Sequence, residues 1–166
     1  MNSILQTSSG DLSGLQIRKM TEADLEQVVS IDQVSFSLPW PPRSFDYEVS
    51  DNHVSRAWVA ELDGRVVAMM VGWLMVDELH IATIATHPEY RKRGIGRKLL
   101  VHAVDAARSE GIVRAFLEVR EGNAAAINMY HGLGFVEDGR REGYYADNHE
   151  DAILMSLDGL GSLRGQ

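Results

Sequence analysis

The 166-residue chain has no cysteine. This excludes a disulfide framework, a thiolate zinc site and a cysteinyl acyl-enzyme. It also removes any argument from disulfides for an oxidising compartment. Long apolar runs are missing as well. The longest, Val66 to Val76, is eleven residues, where a membrane-spanning helix needs about 20. Residues 1–14 hold neither a basic cluster nor an apolar stretch, so they do not read as a signal peptide. A cytoplasmic location is the expectation. Positive charge is scarce, with 16 Lys and Arg against 24 Asp and Glu and a net charge of −8. A duplex-binding protein presents a basic face because phosphate contacts dominate its affinity. Here basic residues gather only at positions 91–93 and 97–98, which suits a small anionic ligand, and the acidic remainder suits a cationic partner.

What is present is ordinary for one globular domain: 45% hydrophobic and 24% charged residues. Residues 1–14 and 158–166 read as flexible ends and 15–157 as the domain. Leu15 to Met20 alternates as a strand. Thr21 precedes the acids Glu22 and Asp24, a helix start, and Leu25, Val28, Val29, Ile31 and Phe36 give that helix an apolar stripe. Leu38-Pro39-Trp40-Pro41-Pro42 stops it, and a second short helix follows near Ser44 to Ser50. Arg56 to Leu62 and Arg65 to Val76 are strands joined by the turn Asp63-Gly64, the second apolar enough to be central. Met69, Met70 and Met75 read as core within it. Glu78 to Thr86 is a strand ended by Pro88. Gly94 to Glu110 is a helix with Ile95, Leu99, Leu100, Ala103, Val104 and Ala107 on its buried stripe. Ile112 to Arg120 is a strand, Asn123 to His131 a helix, and Phe135 to Tyr145 and Glu150 to Leu157 two closing strands. The order predicts a mixed α/β sheet with helices on its faces.

Arg91-Lys92-Arg93-Gly94-Ile95-Gly96-Arg97 opens the long helix. Unpaired N–H groups and the dipole at a helix start attract phosphates, and glycines let the backbone approach one. The loop is not a P-loop, because Gly96-Arg97-Lys98-Leu99 lacks that pattern. Nor is it a dinucleotide fingerprint, because Leu99 stands where a third glycine belongs. On its own, a basic glycine turn explains it equally well.

The run Ile84-Ala85-Thr86-His87-Pro88-Glu89-Tyr90-Arg91-Lys92-Arg93-Gly94-Ile95-Gly96-Arg97 resembles the central motif of the GNAT acetyltransferases, with Thr86 where a valine is usual. Asn123 to Tyr130, continuing to Gly132-Leu133-Gly134-Phe135, resembles the family's next signature. Phe36-Ser37-Leu38-Pro39-Trp40 with Phe45, Leu117-Glu118-Val119-Arg120, Tyr144-Tyr145 and Glu150-Asp151-Ala152 resemble the RimI-type ribosomal-protein-alanine N-acetyltransferases. The resemblance implies a mixed, mostly antiparallel sheet of about seven strands with helices on both faces, and acetyl-CoA as cosubstrate. The pantetheine arm would lie along the strand at Ile84, Ala85 and Thr86. Residues 91–97 would wrap the pyrophosphate, and Asn123 would bond near the pantetheine. A strand N–H would polarise the thioester carbonyl. Glu118 matches the family's base and Tyr130 its general acid, and transfer would be direct in a ternary complex.

Residue by residue, plainer readings stand beside these. Alternation puts Glu118 on one strand face with Phe116 and Arg120, where an exposed carboxylate is ordinary. Tyr130 also fits a half-buried aromatic on a short helix. Trp40, Tyr144 and Tyr145 fit either the wall of an N-terminal peptide groove or packing under loops. Residues 137–151 hold six acids and two arginines, which attract a cationic acceptor of any kind. The six histidines show no ligand spacing, so no metal is expected. The acceptor this points to is a protein N-terminus, an alanine of a small-subunit ribosomal protein. The alternatives are a small amine or lysine side chain, or an acyl-CoA-binding module without catalysis.

Overall fold

The computed structural model describes residues 11–160. Seven strands form one sheet: β1 (Leu15–Lys19), β2 (Ser55–Leu62), β3 (Arg65–Met75), β4 (Glu78–Thr86), β5 (Arg114–Arg120), β6 (Val136–Arg141) and β7 (Ala152–Leu157). Their order across the sheet is β1-β2-β3-β4-β5-β7-β6. All neighbours run antiparallel except β4 and β5. That pair is parallel because the chain returns through a helix, α3 (Ile95–Ser109). The mixed sheet expected from the sequence is the one observed. β3 is central, as its apolarity predicted, and Val66 to Gly72 are buried on both faces.

Two cores lie on opposite faces. On one, α3 and α4 (Ala124–Gly132) cover the sheet, with Leu99, Leu100, Met70, Leu79, Leu117 and Phe135 packed together. On the other, α1 (Leu25–Ser35) and α2 (Pro42–Ser50) bury Val28, Ile31 and Phe45 against Val59, Met69 and Val71. Met75 departs from its expected core role: it is 50% exposed, at the last residue of β3 before the turn.

Three differences from the expected boundaries have a cause in tertiary contacts. The strand expected to reach Tyr145 ends at Arg141, because Gly143 donates its N–H to the Asp151 carboxylate at 2.9 Å and the chain turns through residues 142–149. The domain does not stop at 157. Leu160 is 1% exposed in the core, and its N–H donates to the Val113 carbonyl. At the other end Leu12 packs against the core and its carbonyl accepts from the Leu15 N–H. The flexible ends expected for residues 1–10 and 161–166 lie outside the described residues.

The start of α1 is fixed by a buried charge. Asp24 is 4% exposed; it takes both guanidinium nitrogens of Arg18 at 2.8 Å and the Thr21 N–H at 2.8 Å. The Arg18 bonds hold its carboxyl below the ordinary range. A carboxyl lowered in the folded state contributes stability above its unfolded value and loses it as pH falls through the folded one. Asp24→Ala is therefore expected to cost about 2–3 kcal/mol at pH 7, read by denaturant unfolding. The difference from wild type should shrink below about pH 4. A constant difference down to pH 2 would show that the ion pair is not its source.

Candidate active site

The feature that positions the site is a splay. β4 and β5 pair only over Glu78–His80 and Arg114–Phe116. Beyond that, β5 follows β7, pairing from Ala115 to Arg120. β4 turns away at a bulge: Val71 opposes Thr83 but Gly72 opposes Ile81, so Ala82 is an extra residue. The bulge also flips the parity of the strand. Leu79 and Ile81 face α3, and after Ala82 it is Ile84 that packs on that side while Ala85 joins the α1 core. Ile84, Ala85 and Thr86 thus offer an unpaired edge toward the gap, a template for an extended ligand chain.

Above the gap lies the basic loop. Gly94, the residue before α3, has φ +79°, and Lys92 has φ +64°. Left-handed residues on either side of Arg93 turn neighbouring N–H groups inward as an anion cradle. The first-turn N–H groups of α3 and its dipole point the same way. Gly96 lies close to the end of β4: a Cβ there would meet Thr86 Oγ1 at 3.3 Å, and that hydroxyl would have to give way. The chain has 24 acids, yet Arg91, Lys92, Arg93, Arg97 and Lys98 form no ion pair among the described residues. The five are not equivalent. Arg91 donates to the Thr86 carbonyl (3.0 Å) and Ser35 Oγ (3.2 Å). Arg93 donates to the Glu89 carbonyl and lies over the Tyr90 ring. Those two brace the loop, which leaves Lys92, Arg97 and Lys98 exposed. Asn123 caps α4, its Oδ1 accepting from the Ala126 N–H at 3.2 Å, and its amide nitrogen has no hydrogen bond among the described residues.

Where the strands part, Glu118 Oε2 lies 2.7 Å from His80 Nε2. Both side chains are less than one-fifth exposed. The His80 hydrogen bond is the main reason the Glu118 carboxyl is held below its ordinary range; burial opposes it and Arg141 assists. His80 stacks on Phe116 (4.6 Å between centroids, 3° between planes) and meets the edge of Trp73 at 5.4 Å. Trp73, His80 and Phe116 are direct cross-strand partners on β3, β4 and β5. The Glu118 carboxylate and the two aromatic rings together fix the orientation of the imidazole. Sequence reasoning missed His80. The available signal was a histidine whose strand faces that of Glu118, but pairing it with Glu118 required the register of β4 on β5.

Tyr130, on α4, is 5% exposed, its ring 5.7 Å from that of Phe135. Burial, and then Tyr145, push its phenol far above its ordinary value, so it stays protonated. Tyr145 is pushed up to about 12, chiefly by burial, and senses Glu118. The structure thus brings Glu118, Tyr130 and Tyr145 within electrostatic reach of one another. Tyr145 lies under the Arg120 guanidinium at 3.9 Å. Arg120 bonds Asp147 (3.0 Å) and Glu150 (3.3 Å), and Asp147 accepts from Ser37 Oγ at 2.5 Å. The turn at 142–149 is tied in this way to the segment between α1 and α2. Trp40 lies in that segment, stacked on Phe45 and Trp73. Tyr144 is 48% exposed, with its ring beside Tyr145 and Arg141. Among the described residues no cluster of His, Asp or Glu is placed to hold a metal ion, and no helix is long and apolar enough to cross a membrane.

Comparison with known proteins agrees with this geometry. The acetyltransferase (GNAT) family model matches residues 25–135. The chain is 36% identical over 140 residues to the [ribosomal protein bS18]-alanine N-acetyltransferase of Salmonella typhimurium, covering 83% of this chain and 93% of that one. It is 35% identical over 139 residues to a putative enzyme of the same name from Bacillus subtilis, covering 84% and 92%. The crystal structure of the ribosomal-protein-S18-alanine N-acetyltransferase from Escherichia coli superposes with a TM-score of 0.80 at 33% identity, covering 87% and 93%. A strand splay, a basic anion loop and a matching family model across most of the fold lead to one conclusion: this chain is an acetyl-CoA-dependent acetyltransferase and belongs to the GNAT family.

Proposed function

We propose that the chain acetylates the N-terminal amine of a protein, an alanine of a small-subunit ribosomal protein, in the cytoplasm. The observation that carries the chemistry is the His80–Glu118 pair at the parting of β4 and β5, with the buried Tyr130 phenol nearby. An N-terminal amine has a pKa of about 7.7–8.0, so much of it is ammonium at neutral pH and must lose a proton before it attacks. Glu118 takes that proton, directly or through His80 or water. The amine nitrogen then bonds to the thioester carbonyl carbon, whose oxygen is polarised by a backbone N–H of β4. The C–S bond breaks as the Tyr130 phenol protonates the departing thiolate, and the second proton of the attacking nitrogen passes back, through water, to restore the phenol. The products are the amide and free CoA. Lys92, Arg97 and the N–H groups from Lys92 to Arg97 hold the pyrophosphate, and the edge at Ile84 to Thr86 holds the pantetheine arm.

The ribosomal acceptor is supported by relatives that carry that activity in their names and share about one-third of the residues over nearly the whole domain. The acidic turn at 137–151 suits a cationic peptide. Acetyl-CoA turnover across N-terminal peptides, lysine peptides and small amines tests the reading. Thiol release is expected with alanine-started peptides. Turnover confined to small amines or lysine side chains would sink the protein-terminus assignment. Tight CoA binding with no turnover of any amine would indicate a binding module.

A further inference from the structure

Two parts of the sheet meet at the active site, β1-β2-β3-β4 on one side and β5-β7-β6 on the other. Their shared ladder covers only Glu78–His80 and Arg114–Phe116. Ladder bonds hold paired strands about 4.8 Å apart, and past His80 and Phe116 none joins β4 to β5. Glu118 stands on β5 and the edge at Ile84 to Thr86 on β4. The width of the gap therefore sets the distance from the base to a thioester lying on that edge.

Side chains close the open end of that gap. β4 ends at Thr86 and β5 at Arg120. At the first end, Arg91 Nε donates to the Thr86 carbonyl at 3.0 Å and Arg91 Nη2 donates to Ser35 Oγ at 3.2 Å. At the second, Arg120 Nη2 donates to Asp147 at 3.0 Å, and the same Asp147 oxygen accepts from Ser37 Oγ at 2.5 Å. Only Phe36 separates the two serines, so residues 35–37 join one strand end to the other. This span lies on the α1 face, where Phe36 packs on the core, opposite the face that α3 covers. The Phe36 N–H donates to the Asp32 carbonyl at 3.1 Å, and Glu150 steadies Arg120 at 3.3 Å. Holding two long arginines in one geometry costs rotamer freedom, which exposed polar bonds barely offset. Such bonds add little stability; what they fix is a span.

We propose that Arg91 and Arg120 are positioning residues, which hold residues 35–37 as a strap across the open end of the β4–β5 gap and so set the reach from Glu118 to the thioester. This role rests on the reading of Glu118 as the base. It asks nothing of either arginine as a ligand for substrate. Reacting groups misplaced by about 1 Å lose about 100-fold in rate, so a small widening of the gap is enough to matter. The bonds act in series, from Thr86 through Arg91, Ser35, Ser37 and Asp147 to Arg120. Cutting any one of them releases the whole strap.

The test removes the two hydroxyls, Ser35→Ala and Ser37→Ala, which leaves both arginines, the phosphate loop and the core in place. The acceptor is the fastest amine of the panel above, whether a peptide or a small amine. Each variant should lower kcat by about 10-fold while the Kd for CoA stays within about twofold of wild type. The double variant should match the single ones, because links in series fail together and independent contacts multiply. Threonine keeps the hydroxyl and should restore kcat at one serine or the other. Losses that multiply in the double variant would overturn the strap. So would a kcat unchanged in both alanine variants, a kcat/KM raised by freeing the gap, or threonine failing like alanine at both positions. Glu118→Gln is measured beside them. Wild-type kcat in that variant would overturn the base reading, and the serine variants decide the strap separately.

Discussion

Glu118→Gln is expected to lower kcat by about 100- to 10,000-fold, the range over which a positioned base contributes, with acetyl-CoA affinity nearly unchanged. Glutamine keeps the size of the side chain and a hydrogen-bond partner for His80 while removing the proton acceptor. His80→Ala should also lower kcat. The double variant should be little worse than the more damaging single one, because groups acting as one unit are not additive. The pH dependence follows from the direction of the Glu118 shift. The His80 hydrogen bond holds the carboxyl below its ordinary range, so Glu118 is already ionised across pH 6–9. The fall of kcat/KM on the acid side therefore belongs to the acceptor amine, near its pKa of about 7.7–8.0. Glu118→Gln should lower the plateau without moving that limb. A kcat within about threefold of wild type, measured by thiol release under saturating acetyl-CoA, would remove Glu118 from the role of base.

Gly94→Val is expected to weaken acetyl-CoA binding by about 10- to 100-fold. Gly94 has φ +79° with nothing within 4 Å of a built Cβ, so the substitution meets backbone strain and no clash. A β-branched residue in this region costs about 1–3 kcal/mol, and the loop relieves it by leaving the conformation that aims its N–H groups at an anion. Each 1.4 kcal/mol transferred to the ligand-binding equilibrium is tenfold in Kd. Isothermal titration with CoA and with dephosphorylated pantetheine separates the effect. The loss should appear with CoA and largely vanish with pantetheine, which lacks the pyrophosphate. An equal loss for both ligands would place the damage in the strand edge at Ile84 to Thr86, away from the phosphate loop.

Much of the architecture was legible because it depends on local patterning. The apolar stripe of α3, the turn at Asp63-Gly64 and the apolarity of β3 each come from neighbours in the chain, where helix and strand periods act. Element order then left few topologies open. The glycines and cations of residues 91–97 were visible for the same reason, as a helix start carries its anion site within a few residues. Where reading failed, the cause lay at longer range. The strand expected to reach Tyr145 ends early because Asp151, eight residues after Gly143, captures its N–H. Leu160 reads as tail in the sequence, where a single leucine beside glycines shows no period, and is core in the fold.

The site divides along the same line. The chain by itself determined the chemistry available: no thiol for a covalent route, one concentrated anion loop, and a carboxylate and a phenol in a family pattern. Only the tertiary structure decided which groups act together. His80 and Glu118 are 38 residues apart and meet because β4 and β5 run parallel for three residues and then part at a bulge. Strand register fixes which side chains share a face, and register is set by the whole packed sheet. The same register brings Trp73 against His80.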